Sequence, residues 1–439
     1  MRKPLYIFLF VGLLGLHACK LDDLENLNQP DPSQFGRNAT VNQLNTLVIG
    51  GIAQMRDNYD LYVDNLGIIG RESYRFSGSD PRYTSELPGA NGAQLDNNAF
   101  YTTNPYASRY AAVKTFNILI DAVNNTNIPS DTAKQGYLGA AKTLKAHELL
   151  MVLNMQYANG IRVDVSNPSQ LGPFLSREES FNAIATLLDE GAAHLSGAAN
   201  TFAFPLPAGF AGFTTPATFR QFNRGLAARV AVYQGKYAAA LTFLSESFLD
   251  LNANYTKGVY LDYSNGSGDR LNTLFLAPNA TGDVRVAQPG WVAQAEPGDQ
   301  RLSKVLLRNQ PVSSAGLTGT HDVYLYRSNT DPTPVITNEE LVLLYAEAQI
   351  QTNNLAAGAD ALNKVRGNAG LGPYTGPVEK EALINEMLRQ RRYSLFFQGH
   401  RWIDLRRYNR LGELPIDRPG DVVHQQFPRP FPEVGVQGG

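Results

Sequence analysis

The stretch from Leu388 to Tyr408 places the tightest constraint on the fold. Leu383, Met387, Leu388, Leu395 and Phe396 recur at helical intervals, so an amphipathic helix leads into it. Gly399 supplies a flexible stop. Trp402 and Leu405 can then fold an apolar face back, with the neighbouring arginines expected to stay in water. Local physics thus predicts a helix, a turn and an aromatic anchor, and nothing catalytic.

Upstream, the chain alternates between helical runs and long irregular ones. A helix is expected over 41–58, with Leu44, Leu47, Val48, Ile52 and Met55 on one face. From 68 to 109, Gly, Asn, Pro and Ser alternate with Tyr74, Phe76, Tyr83, Phe100, Tyr101 and Tyr106, and no helical or strand period persists. A loop of that length in a compact domain is usually functional. Helices are expected over 110–124 and 131–157. Ser176 to Glu179 reads as a capping box opening a helix to 195. Thr215-Pro216 starts another to 233, and a return helix follows Gly235 over 236–249. Ala227-Ala228 and Ala238-Ala239-Ala240 give this pair the small-residue packing of a helical hairpin. Residues 251–336 are again irregular, with strand-like pieces such as 323–326. Thr337 to Glu340 reads as a second capping box, and 355–366 as the partner of the helix it opens.

The balance of 38 basic and 40 acidic residues gives a net charge of −2 and argues against a nucleic-acid binder, which needs a basic stripe. Residues 1–18 read as a targeting segment: Arg2 and Lys3, then an apolar run of about 12 residues, short of the roughly 20 that span a bilayer. Leu16-His17-Ala18-Cys19 resembles a bacterial lipobox, with His17 in place of the usual small residue. Cys19 is the only cysteine, which excludes disulfides within the chain and makes it the expected lipidation site. Residues 19–36 read as a polar tether, and 37–439 as one domain whose loop-rich segments lie around 68–109 and 251–336.

The string Arg391-Arg392, Leu395-Phe396-Phe397, Gly399-His400-Arg401-Trp402 and Asp404-Leu405-Arg406-Arg407 closely resembles the C-terminal signature of SusD/RagB nutrient-binding lipoproteins. Gln390, Ser394 and Gln398 depart from it, standing where that family commonly has glutamates. Leu343 to Ala348 with Ala361 to Arg366, Ala140 to Ala146, and Phe427-Pro428-Arg429-Pro430 resemble other family segments. The resemblance implies a mainly α fold: a tetratricopeptide-like scaffold of helical hairpins with long irregular loop insertions forming the binding face. It also implies a glycan-capturing lipoprotein on the outer membrane, facing the cell exterior and serving a TonB-dependent β-barrel transporter. The same architecture binding peptides, or a helical scaffold without a small ligand, stays open. The charged run Lys20 to Asp23 is similar to the tether of lipoproteins carried to the surface in Bacteroidetes-like bacteria.

Sugar-binding surfaces use aromatic rings against pyranose faces, with amide and charged groups fixing the hydroxyls. Both loop segments have that composition. In SusD-like proteins the ligand site lies on loops from these parts of the chain. The expected ligand contacts are Tyr74, Phe76, Arg82, Tyr83, Asn97, Asp283, Trp291 and Tyr324, with Trp291 the leading one and Trp402 assigned to the core. No catalytic residue, metal site or cofactor is expected. His147-Glu148 opens like a zinc-protease helix, but Met151 occupies the second histidine position. Asp250 to Leu261 lacks the glycine and glutamate of a calcium loop. Gly367 to Gly372 follows a helix and has the wrong spacing for a dinucleotide fingerprint. A glycosidase would need a spaced carboxylate pair, which the sequence does not locate.

Overall fold

The computed structural model describes residues 38–127, 129–167, 169–252 and 255–434. The targeting segment, Cys19 and the tether lie outside them. The scaffold is helical, as expected from the resemblance. Helices α1 (Val41–Gln54), α2 (Tyr59–Ile69), α3 (Phe100–Asn124) and α4 (Asp131–Gln156) are followed by α5 (Arg177–Ser196), α6 (Pro216–Tyr233) and α7 (Tyr237–Ser245). Successive helices from α3 to α7 pack on one another, as paired helices do. The stack continues with α9 (Asn338–Gln351), α10 (Leu355–Asn368), α11 (Lys380–Ser394) and α12 (Arg401–Arg407), after a short α8 (Pro289–Ala293). A single turn, α13 (Phe431–Val434), ends the described chain.

Small residues set the closest helix contacts. A Cβ added to Gly139 on α4 would lie 2.5 Å from Leu195 of α5. One on Gly191 would meet Thr143 at 2.9 Å and Asn223 at 3.0 Å. Asn223 of α6 uses that proximity, donating to the Thr143 hydroxyl at 2.7 Å and to the Leu188 carbonyl at 3.0 Å. In the α6–α7 hairpin Ala227, Ala228 and Ala240 are buried, whereas Ala238 is exposed, and α7 is four residues shorter at its end than expected.

Several helix starts follow the sequence. Ser176 forms its capping box with Glu179, and Thr215 caps the turn begun by Pro216. Others do not. The helix expected to open at 110 begins at Phe100, with Pro105 inside it. Proline cannot donate to the carbonyl four residues back; the Asn65 amide supplies that bond to Tyr101 at 2.7 Å instead. Helix α2 has no counterpart in the sequence reading, because all its residues except Asp60 are buried and it carries no polar face. Thr337 makes no side-chain cap. The Asn338 and Glu339 amides donate instead to the carbonyls of Lys257 and Tyr255, at 2.7 and 3.0 Å. Glu340 turns inward and accepts from Nε and Nη2 of Arg229, each at 2.6 Å.

The 388–408 stretch folds as anticipated in outline, with Gly399 at φ +78° and Trp402 fully buried, its indole donating to the His424 carbonyl at 2.9 Å. Its arginines are not all wet. Arg391 is buried against Asp404 at 2.7 Å, Arg406 donates to the carbonyls of Asn154 and Gln425, and Arg407 pairs with Glu347 and Asp404. The two Nη atoms of Arg391 have no hydrogen-bond partner among the described residues.

The two irregular segments are largely strands and turns, tied together by pairing. A four-stranded sheet has the order β1 (Ser73–Phe76), β5 (Val284–Ala287), β7 (Leu317–Val323), β6 (Val305–Ser314). β1 and β5 run antiparallel with Ser73 opposite Ala287 and Phe76 opposite Val284, so the first loop segment is stitched to the second. A small pair joins β2 (Ile161–Arg162) to β3 (Phe174–Leu175). Another joins β4 (Gly258–Leu261) to β8 (Thr333–Thr337), which runs directly into α9. No helix among the described residues is long and apolar enough to cross a membrane.

Candidate ligand-binding groove

The β4–β8 pair borders the site. Its register shifts between Val259 and Tyr260, leaving Val335 of β8 as the extra residue. Val259 and Leu261 are buried, whereas Tyr260 is only partly covered and projects into open space. Two cavities of about 300 and 360 Å³ meet there, sharing Thr256, Tyr260 and Pro332. Together they form a groove of ligand size.

The first lobe is lined by Tyr255, Tyr260, Lys304, Asp331, Ser394 and Gln398, with Glu339 at the start of α9. The second is lined by the turn at 208–211, by Lys257 and Asp262, and by Thr330. The turn packs closely on β4: a Cβ on Gly209 would lie 2.0 Å from the Tyr260 carbonyl, so only glycine fits there.

Electrostatics divide these groups. Lys304 donates to the carbonyls of Tyr393 and Ser394 at the end of α11, and burial holds its pKa below the ordinary lysine value. Asp331 is pushed up by burial but held below the usual carboxylate range by the Ser328 hydroxyl and the Arg327 and Ser328 amides. The Tyr260 phenol is raised by burial and by the Glu339 carboxylate, and Tyr255 by burial, Glu339 and Asp250. Both phenols are therefore neutral rings with a polar edge, suited to stacking against a sugar face.

The eight expected contact residues lie outside this groove. Trp291 has no exposed surface: its ring packs 4.2 Å from Phe396 and 5.0 Å from Tyr393, and its indole donates to the Arg392 carbonyl at 3.3 Å. It is a core residue in this conformation. Tyr74, Phe76 and Tyr83 are likewise buried, because they belong to or flank β1 and pin it to the scaffold. Tyr74 bonds Asp417, and the Tyr83 hydroxyl accepts from Arg75 at 2.9 Å. Asp283 pairs with the same Arg75 at 2.9 Å, and Arg82 lies over Phe100, which meets Tyr83 edge-on. Arg82, Tyr83 and Asp283 are thus brought together, with Arg82 and Asp283 half-buried and Tyr83 buried between them and the scaffold. Asn97 sits apart, its carbonyl accepting from the Phe431 amide at 2.9 Å. Half-buried Tyr324 lies next to Leu325 and Tyr326, which line the groove, but does not line it itself.

The sequence reading did not single out Tyr260, Tyr255, Glu339 or Gln398, which line this groove. One signal was present: in Val259-Tyr260-Leu261 the alternation of a strand sends Tyr260 to the face opposite two aliphatic neighbours. Among the described residues no group of three or more His, Cys, Asp or Glu side chains could hold a metal ion.

A stack of paired helices carrying a small sheet, with two tyrosines in the lining of a groove, defines a helical scaffold fold. Comparison with known proteins gives it a family likeness. Residues 286–433 match the model of the SusD family. A SusD superfamily protein from Bacteroides vulgatus superposes with a TM-score of 0.69 at 14% identity, over 90% of this chain and 97% of that one. One from Parabacteroides distasonis gives 0.64 at 15% identity, over 85% and 91%. Surface glycan-binding protein A from Bacteroides thetaiotaomicron, in complex with laminarihexaose, gives 0.68 at 13% identity, over 90% and 97%. No curated protein matches the chain. At these identities the structures show a shared fold. Together with the family match, they establish the resemblance to SusD/RagB proteins read from the C-terminal signature.

Proposed function

We propose that this chain is a binding protein that captures glycans at the cell surface, without cleaving them, and hands them to a TonB-dependent outer-membrane transporter. The observation that carries the reading is Tyr260: partly exposed between buried Val259 and Leu261, it lines both lobes beside Gln398, Glu339 and Asp262, which supply amide and carboxylate groups. That combination suits a pyranose, whose faces are apolar and whose edge bears hydroxyls. The fold shared with a protein solved with laminarihexaose supports the same reading. Lipidation at Cys19 would hold the groove near the transporter pore and raise the effective concentration of captured ligand.

The experiment is a binding screen with protein starting after Cys19, against soluble polysaccharides and against peptides under identical conditions. Saturable binding to a polysaccharide that is recovered intact is expected. Binding to peptides alone, or breakdown of the polysaccharide, contradicts the proposal. Palmitate labelling of cells that express the full chain tests the anchor: incorporation is expected, and its persistence in Cys19→Ala would refute lipidation at that residue.

A further inference from the structure

We infer that the groove selects neutral, hydroxyl-rich sugar units over anionic ones, and that Glu339, Asp262 and Gln398 set this preference. The inference rests on the glycan-binding reading and adds the class of glycan. Recognition falls to polar groups the protein has not already used, because breaking an internal hydrogen bond to read a ligand returns little free energy. Several polar groups of the groove are committed. The Tyr260 hydroxyl donates to the Thr256 carbonyl. Lys304 spends two donors on backbone carbonyls, and the Asp331 carboxylate is taken by the 327–328 turn.

The side chains of Glu339, Asp262 and Gln398 form no hydrogen bond or ion pair among the described residues. Two are acceptors only, which sugar hydroxyls satisfy by donating. Gln398 offers both a donor and an acceptor, so it can hold two adjacent hydroxyls at once. Its position is enforced by a turn in which Phe397 takes φ +59° and Gly399 φ +78°. A left-handed conformation at an aromatic residue is strained and persists only where the surroundings impose it. Here Phe397 is fully buried beside Phe396 and Tyr326.

The charge of the lining points the same way. The two lobes are lined by Lys304 and Lys257 and by Glu339, Asp331 and Asp262, so acidic groups outnumber basic ones. Lys257 lies near the rings of Phe213 and Phe248, 5.8 and 5.9 Å from their centroids. No arginine lines either lobe, so a carboxylate or sulfate finds no bidentate donor and meets two unpaired carboxylates.

The test compares matched polymers by affinity electrophoresis: hydroxyethylcellulose with carboxymethylcellulose, laminarin with sulfated laminarin, and galactan with polygalacturonate. In any pair whose neutral member binds, the acidic member should bind at least about tenfold more weakly, a margin of about 1.4 kcal/mol. Glu339→Gln and Asp262→Asn should each narrow that margin, and Gln398→Glu should widen it, in variants whose melting temperature stays near wild type. Acidic members that bind as tightly as their neutral partners overturn the inference while leaving glycan capture standing. A margin unmoved by all three variants also overturns it, because the named side chains then do not set the preference. Failure of every polymer to bind removes the glycan reading and the inference with it.

Discussion

Arg75 and Arg285 stand directly opposite each other across the β1–β5 pairing. Like charges so placed repel and destabilise a sheet. Asp64, buried on α2, resolves the conflict: it accepts from Arg285 at 2.7 and 2.8 Å and from Arg75 at 3.0 Å. Asp283 takes the remaining end of Arg75 nearer the surface. One carboxylate thus holds the two loop segments together.

Asp64→Asn should therefore destabilise the protein by about 3–5 kcal/mol, the usual result of leaving buried charge uncompensated. Asp283→Asn, at a more exposed pair, should cost about 1 kcal/mol or less. Denaturant unfolding of both variants checks the contrast. Equal losses would show that Asp64 is not the keystone of this pairing.

Trp291→Ala tests the reassignment of the leading sequence candidate. Its ring fills the space between α8 and the end of α11, so truncation should cost about 3–5 kcal/mol as a core cavity. Unfolding midpoints measure this directly. A variant of unchanged stability with weakened ligand binding would return Trp291 to the ligand site.

Sequence pattern located the scaffold better than the site, for reasons visible in single residues. Ser176 and Thr215 announce their helices because the signal and the structure are both local. Helix α2 is silent because burial on all sides erases its period. The burial of Trp291 is not legible in its polar-looking loop, because its packing partners Tyr393 and Phe396 arrive about a hundred residues later. Aromatic residues in irregular segments reveal abundance, not direction. The alternation at Val259-Tyr260-Leu261 gave Tyr260 a direction, but the cavities it lines form only when β4 pairs with β8, more than seventy residues later.

Glu72 gives a pH dependence. It is 1% exposed and forms no ion pair within 4 Å among the described residues. Burial, only partly offset by Arg401 and Arg392, pushes its carboxyl from the ordinary 4.5 up to about 8. The unfolded chain releases this proton above pH 4.5, whereas the folded protein keeps it until about pH 8. Glu72 therefore withdraws stability as pH rises through that interval. Glu72→Gln should raise the melting temperature relative to wild type more at about pH 9 than at about pH 5. The same difference at both pH values would refute the shifted carboxyl.

The most direct test of glycan capture in the groove is calorimetric titration of wild type and Tyr260→Ala with a polysaccharide that the wild type binds. The ring lies at the junction of the two lobes and supports neither core nor sheet pairing through its partly exposed face. Losing one stacking platform, with the area it covers, should weaken binding about tenfold or more, at about 1.4 kcal/mol per decade, and leave the melting temperature near wild type. Undiminished affinity in Tyr260→Ala would place the ligand elsewhere and contradict the account.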